Sequence, residues 1–209
     1  MYPIFKKIFP SLAVLLLSLG FWSCSDDDST NIGLVSLQSN TALGEILVDG
    51  NGRTLYFFTK DVSGESQCTG GCLTDWPVYY APDLQPGPGI DLSDFTTITR
   101  SDGGSQTAYK GWPLYYYAPD AMGDTNGEAV GNVWFVAKPN YSIMLANAQL
   151  VGKDGKNYTS TYQEGEGETQ YFVDAHGRTL YTFIRDYKNV NKFTTPNLSN
   201  NGVWPIFHV

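Results

Sequence analysis

An internal repeat restricts the possible folds of this sequence more than any other feature. The string VDxxGRTLYxF occurs at residues 48–58 and again at residues 173–183, and a looser copy, YKGWPLYYY, occupies residues 109–117. Each copy is followed about 20 residues later by a tryptophan, namely Trp76, Trp134 and Trp204. Such recurrence is typical of a chain built from stacked supersecondary units. We therefore predict three related units, called here the first, second and third unit.

Each unit has the pattern of a β-hairpin. In the first unit an aliphatic run at residues 46–48 precedes a turn rich in Asp, Gly and Asn, and an aromatic strand follows at residues 54–58. Alternate side chains of a strand share a face. The aromatic pairs that share a face are Tyr56 with Phe58, Tyr115 with Tyr117, and Tyr181 with Phe183. An isolated hairpin is marginal in water, so these pairs are expected to be core, packed against a neighbouring unit.

The remaining segments fit the same fold class. Short strands are predicted at residues 76–80 and 134–136, with one helical turn at residues 91–95, and no amphipathic helix of ten or more residues is found. We therefore predict an all-β fold. It consists of antiparallel hairpin repeats, three related units packed through aromatic faces, preceded by a signal peptide.

The N-terminus has the order of a secretory signal. Lys6 and Lys7 precede a mostly apolar stretch at residues 8–22, which ends at Ser23 and Cys24. The segment resembles a lipoprotein signal, which implies that Cys24 is lipidated and becomes the first residue of the mature protein. An uncleaved anchor, or cleavage elsewhere with Cys24 uninvolved, is the alternative that the sequence leaves open.

Domain boundaries and location follow from these features. We expect a signal peptide at residues 1–23, an acidic flexible tether at 24–40, a first repeat module of two units at 41–146, and the third unit at 147–209. Acyl chains hold a protein on a bilayer without a spanning helix, and no apolar stretch of about 18 residues follows the leader. The expected location is the cell envelope, as an outer-membrane lipoprotein with surface exposure left open.

Charge argues against a nucleic-acid partner. The chain has 13 Lys and Arg residues against 21 Asp and Glu residues, a net charge of −8. A chain of this charge repels phosphate backbones. The partners we expect are the membrane, through the lipid anchor, and an extracellular glycan or protein ligand.

An aspartate follows each aromatic strand at a fixed distance. The pattern Yx(F/W/Y)xxD is formed by Tyr56, Phe58 and Asp61, by Tyr115, Tyr117 and Asp120, and by Tyr181, Phe183 and Asp186. Aspartates at such positions accept backbone N–H bonds, so we expect these three to cap the loops that follow. Beside the leader, the motif resembles that of the Bacteroidota-type secreted-repeat lipoproteins of unknown function that are named for it. The resemblance implies a family and no particular activity.

The resemblance also implies how the units combine. The first half of a module contains the GRTLYxF string, a cysteine pair and Trp76, and the second half runs from about residue 98 to Trp134. The third unit then corresponds to a first half alone, an incomplete second module. We therefore expect the chain to be truncated relative to its relatives, with a sheet edge left exposed.

The cysteine pair has two interpretations. Cys68 and Cys72 enclose a Thr-Gly-Gly loop that is flexible enough to close. An exported protein meets an oxidising compartment, so a structural disulfide is predicted. The alternative is a thiol pair that binds a soft metal or exchanges electrons. The CxxxC spacing fits neither the zinc nor the c-type haem signature.

No catalytic residue, metal site or cofactor is predicted. His176 occupies the turn position that Asn51 fills in the first unit, where its backbone matters more than its imidazole. The sequence contains no Ser/His/Asp grouping, HExxH, P-loop or dinucleotide fingerprint. Four oxygen-bearing side chains within residues 120–128 lack the spacing of a calcium loop, and turn formation explains them better.

Binding or adhesion is the function that we predict from the sequence. Aromatic candidates for a sugar- or peptide-stacking surface, with core packing as the alternative, are Tyr79, Tyr80, Trp112 and Tyr116. The protein is expected to be a non-enzymatic, lipid-anchored repeat protein of the cell envelope. The alternative is an envelope redox or metal-handling accessory that uses Cys68 and Cys72.

Overall fold

The computed structural model describes residues 33–208. The predicted signal peptide, the lipidation site Cys24 and the start of the predicted tether lie outside these residues. The strands are β1 (Leu34–Asn40), β2 (Gly44–Asp49), β3 (Tyr56–Phe58), β4 (Gln85–Pro86), β5 (Phe95–Thr99), β6 (Ser105–Tyr109), β7 (Trp112–Tyr115), β8 (Trp134–Val136), β9 (Met144–Val151), β10 (Asn157–Tyr158) and β11 (Glu168–Val173).

Helical structure in the described residues is minor. The one α-helix, α1 (Cys72–Asp75), is a single turn, and 3₁₀ turns occur at Thr59–Asp61, Leu92–Asp94 and Val130–Asn132. The turn at Leu92–Asp94 confirms the helical turn predicted there. No helix within residues 33–208 combines the length and apolar character needed to cross a bilayer.

The strands form three sheets, and their pairing confirms the all-β class. The sheet orders are β5-β6-β7-β3-β8, β2-β1-β4 and β10-β9-β11. Every pairing between these strands is antiparallel except the short one between β1 and β4.

The five-stranded sheet combines strands from the first two units. Strand β3 of the first unit lies between β7 and β8 of the second unit, with Tyr56 opposite Tyr115 on one side and opposite Val136 on the other. All three residues are buried. Since both edges of β3 are paired by the second unit, neither unit completes this sheet alone.

The predicted hairpin of the first unit is present, but it is short. Strand β2 forms its ladder with β1, and the two sides of the hairpin share a bridge between Val48 and Thr54, with backbone bonds from Asp49 to Arg53 and from Leu55 to Leu47. The aromatic strand leaves the turn for the five-stranded sheet, where it finds a partner on each side. Long-range pairing of this kind has no local sequence signal.

The structure also changes one predicted domain boundary and one of the predicted short strands. Strand β1 occupies Leu34–Asn40, which was assigned to the tether, and it buries Val35 while pairing with β2 along its length. Of the two additional predicted strands, Trp134–Val136 is β8. Residues 76–80 form no strand, but they make a bridge between Val78 and Tyr115 and backbone bonds to Thr107, Leu114 and Tyr116.

The third unit departs most from the prediction. Its turn bridges Val173 to Thr179 as the first unit bridges Val48 to Thr54. The aromatic segment after the turn forms no strand, and Tyr181 is 72% and Phe183 37% exposed, so the expectation that this pair is core is wrong. In the first unit, Tyr56–Phe58 pair with a strand on each edge. Within residues 33–208, residues 181–183 pair with no strand.

Candidate functional site

The repeated turn has the same geometry in the first and third units. In the first unit Asp49 Oδ1 accepts hydrogen bonds from the backbone amides of Asn51 and Arg53, both at 2.9 Å. In the third unit Asp174 Oδ1 accepts from the equivalent amides, at 2.9 and 3.0 Å. The first of these amides belongs to His176, so this histidine takes part in the turn through its backbone.

The three motif aspartates also share one contact. One carboxylate oxygen of Asp61, Asp120 and Asp186 accepts a hydrogen bond from the backbone amide six residues later, at 2.7, 3.1 and 2.5 Å. This is the loop-capping contact expected from the sequence. The second oxygen of each carboxylate remains available for another donor.

In the first two units the second oxygen is used reciprocally. The Tyr56 hydroxyl of the first unit donates to Asp120 Oδ2 of the second at 2.5 Å, and the Tyr115 hydroxyl of the second unit donates to Asp61 Oδ2 of the first at 2.7 Å. All four side chains are buried. Each unit therefore supplies one donor and one acceptor to the other.

The aromatic rings repeat this reciprocity in a four-ring stack. Trp76 and Trp134 are parallel at 3.9 Å between ring centroids. Phe58 of the first unit stacks on Trp134 of the second at 4.0 Å, and Tyr117 of the second stacks on Trp76 of the first at 4.5 Å. The stack thus alternates between the two units and draws on both to fill the core between them.

We call this arrangement the aromatic lock. Its members are Tyr56, Phe58, Asp61 and Trp76 from the first unit and Tyr115, Tyr117, Asp120 and Trp134 from the second. In both units the motif tyrosine also meets its own tryptophan edge-to-face, at 5.5 and 5.1 Å. Six of the nine predicted motif residues therefore lie together, and those of the third unit are not among them.

Burial sets the ionisation of the lock. Burial raises the pKa of Asp61 from its ordinary value of 3.8 to about 7, against the opposing effects of the Gln67 amide, the Tyr115 hydroxyl and the Arg100 charge. Burial also raises the pKa of Tyr115 and of Tyr56, and the neighbouring aspartates raise both further. Both phenols therefore remain protonated and act as donors.

Arg100 connects the lock to the cysteine loop. Cys68 and Cys72 form the predicted disulfide, with their Cα atoms 5.4 Å apart. Arg100, which is buried, donates to the Cys68 carbonyl at 2.9 Å and to Ser66 Oγ at 2.6 Å. Ser66 in turn lies 2.6 Å from the Tyr115 hydroxyl. The role of Arg100 is not predictable from the sequence, because a lone arginine between two strands carries no local signal of burial.

The acidic residues considered for a calcium site make structural contacts instead. Asp124 and Glu128 accept backbone amides from Ala121 and Val136. Within residues 33–208, no group of three or more His, Cys, Asp or Glu side chains is arranged to hold a metal ion.

The predicted aromatic stacking surface does not form. Tyr79 and Trp112 are buried, and half-buried Tyr116 donates its hydroxyl to Asp49. Tyr80 is the only one of the four candidates that is exposed. Core packing, the alternative considered for these residues, therefore accounts for most of them.

Exposed aromatic side chains lie instead near the C-terminal end of the described residues. They are Tyr162, Phe172, Tyr181, Phe183, Tyr187, Trp204 and Phe207. Among them, Tyr181 meets Trp204 edge-to-face at 5.3 Å, as the motif tyrosine meets its tryptophan in the other two units. The third unit thus has the internal contacts of half a lock, with its rings in solvent.

A comparison with protein families found a match to the two segments that form the lock. Residues 39–79 and 96–138 each match the family model Lipoprotein_15, described as a secreted repeat of unknown function. Two stretches of the chain are thus similar to this secreted repeat, and together they include all eight residues of the aromatic lock. This match indicates an extracellular or envelope location. Comparisons with curated proteins and with solved structures found no match.

Proposed function

We propose that this protein is a lipid-anchored, non-enzymatic binding protein of the cell envelope, placed on the outer membrane, and that its third unit supplies the binding surface. The observation that carries the proposal is the contrast in exposure between equivalent residues. Tyr56 and Trp76 are buried in the lock, whereas Tyr181 and Trp204 of the third unit are 72% and 51% exposed. Exposed aromatic groups of this size are typical of recognition surfaces.

The lock itself is better suited to structure than to chemistry. The tyrosines and aspartates of the lock are the polar residues of the repeated motif, and their side chains hydrogen-bond to one another in the interior. A general acid or base needs access to substrate. The Tyr56 and Tyr115 hydroxyls are fully enclosed, so we assign them to holding the two units together.

The composition of the exposed surface favours a protein ligand over a glycan. Ile184 and Val203 are 94% and 74% exposed beside the aromatic residues. Glycans stack on aromatic faces, whereas exposed aliphatic and aromatic groups together match the apolar centre of a protein interface. A glycan ligand is the other outcome that the binding test below would reveal.

The cysteine pair fits a structural role within this proposal. Cys68 is buried, and its carbonyl is held by Arg100. A redox or metal-handling accessory would need thiols that open readily. Alkylation under native conditions followed by mass spectrometry should find the bridge closed, and ready labelling of Cys68 and Cys72 would favour the alternative.

Two measurements test the proposal. Metabolic labelling with a fatty acid should mark the wild-type protein and leave Cys24→Ser unlabelled, and labelling of both would contradict lipidation at this residue. Full-length protein in detergent is then applied to arrays of envelope proteins and glycans. Trp204→Ser should lose binding. The control Tyr80→Ser, which changes an exposed aromatic residue outside the third unit, should retain it. Equal binding by the two variants would refute the third unit as the binding surface.

A further inference from the structure

The third unit keeps the internal geometry of a lock half. Its tyrosine and tryptophan, Tyr181 and Trp204, meet at 5.3 Å with ring planes at 74°, compared with 77° and 86° in the first two units. Its motif aspartate, Asp186, accepts the backbone amide of Lys192 six residues later, as the other two motif aspartates do. Phe183 stands at the position of Phe58.

The groups that would complete the lock are exposed. In the first two units the motif tyrosine donates to the aspartate of the other unit, and the tryptophan stacks on the other tryptophan. Within residues 33–208, the Tyr181 hydroxyl makes no hydrogen bond and Asp186 Oδ2 accepts none. Trp204 is half exposed and Phe183 is 37% exposed.

A lock half is complementary to another lock half. Each half presents one donor, one acceptor, one tryptophan and one further ring, and the first two units show that two such halves satisfy one another through equivalent contacts in both directions. Two identical halves can therefore pair about a two-fold axis, which is the geometry of an isologous dimer.

We infer that the third unit binds the third unit of a second copy of this chain. This inference rests on the proposed binding function and names its partner. Tyr181 of each chain donates to the partner's Asp186, the two Trp204 rings stack on each other, and Phe183 of each chain packs on the partner's Trp204. The pseudo-symmetric contact within one chain becomes a symmetric contact between two chains.

The charge of the third unit permits this pairing. Residues 173–208 contain two acidic residues, Asp174 and Asp186, against four basic ones, in a chain whose net charge is −8. The surfaces that meet therefore carry little net charge and repel each other weakly. In addition, the one carboxylate at the centre, Asp186, faces a phenol donor in the pairing, as Asp61 and Asp120 do in the lock.

Sedimentation of the full-length chain in density-matched detergent tests the inference. The wild type should dimerise, and Tyr181→Phe and Asp186→Ala should each weaken the dimer roughly 100-fold, because each substitution removes both hydrogen bonds of a symmetric pair. Tyr80→Phe, a change at an exposed tyrosine outside the third unit, should dimerise as the wild type does.

Mixing the two weakened variants gives the decisive result. In a mixed dimer, Tyr181 of the Asp186→Ala chain meets Asp186 of the Tyr181→Phe chain, so one bond is intact and the other pair lacks both polar partners. The mixture should therefore associate at least about ten-fold more tightly than either variant alone. No gain on mixing would overturn the reciprocal contact.

The result also separates this inference from the proposed function. If the wild type is monomeric and Trp204→Ser loses array binding, the dimer is refuted and the third unit remains a binding surface for another protein. A monomeric wild type whose array binding is unchanged in Trp204→Ser would refute both.

Discussion

Removing one hydroxyl from the lock tests the energetic reasoning most simply. Tyr56→Phe retains the ring, and with it the edge-to-face contact to Trp76. It removes the donor to Asp120 Oδ2, at 2.5 Å, and the acceptor of the Gly127 amide, at 3.3 Å. Tyr56 is fully buried and Asp120 is 7% exposed, so water reaches the vacated contact poorly.

The expected cost follows from the charge of the acceptor. A hydrogen bond to a charged group contributes roughly 1.5–3 kcal/mol net, and a buried acceptor left without its donor incurs most of its desolvation penalty. We therefore expect Tyr56→Phe to lower the free energy of unfolding by about 2–3 kcal/mol. In a chain of this size, that loss lowers the Tm by about 4–12 °C.

Urea denaturation followed by tryptophan fluorescence measures the effect. Tyr80→Phe is the matched control, since it removes a phenol hydroxyl from an exposed ring and should change the stability by less than about 0.5 kcal/mol. If Tyr56→Phe were as stable as Tyr80→Phe, the bond between the two units would contribute nothing measurable, and the reasoning would be refuted.

Three other perturbations address the surroundings of the lock. Because burial raises the pKa of Asp61 from 3.8 to about 7, its contribution to stability is complete below pH 3.8 and is lost as the pH rises through 7. Wild-type stability, relative to Asp61→Asn in urea titrations, should therefore rise by about 3 kcal/mol between pH 8 and pH 5; a difference independent of pH would contradict the assignment. Replacing both disulfide cysteines with serine should lower the free energy of unfolding by about 2 kcal/mol, as expected for so short a loop, and an unchanged urea midpoint would argue against this. A Cβ at Gly127 would lie 2.8 Å from ring carbons of Tyr56, so Gly127→Ala should cost about 1–3 kcal/mol. Gly71→Ala, whose Cβ meets open space, should be neutral, and equal thermal shifts for the two would count against a tight lock.

Local features were predictable from the sequence. The turn chemistry at Asp49 and Asp174 follows from short-range propensities of Asp and Gly, and both turns form as expected. Loop capping by the motif aspartates is likewise a contact within six residues. The all-β class also followed, because alternation and turn spacing are properties of short segments.

Which strands pair with one another was harder to predict. The sequence does not indicate that β3 leaves its hairpin to lie between β7 and β8, or that β1 begins within the predicted tether, because these pairings depend on distant residues. The exposure of Tyr181 and Phe183 was missed for the same reason. The pattern of the unit is that of a core strand, but burial requires a partner unit.

One signal for the lock was present in the sequence. The motif tyrosine and aspartate are five positions apart, which in an extended chain is about 16 Å, too far for a direct bond. A tyrosine and an aspartate that recur together without reaching each other indicate that the partner of each lies in another copy. Arg100 had no such signal, since it occurs once and its partners come from two separate segments, one with Ser66 and Cys68 and the other with Gln106.

Double-mutant cycles on the tyrosines and aspartates test the central claim most directly. If the two units are held together reciprocally, Tyr56→Phe with Asp120→Ala, and Tyr115→Phe with Asp61→Ala, should each show a coupling energy of about 1–2 kcal/mol in urea denaturation. The pairs within one unit, Tyr56 with Asp61 and Tyr115 with Asp120, should couple by less than about 0.5 kcal/mol. Stronger coupling within the units than between them would contradict the aromatic lock.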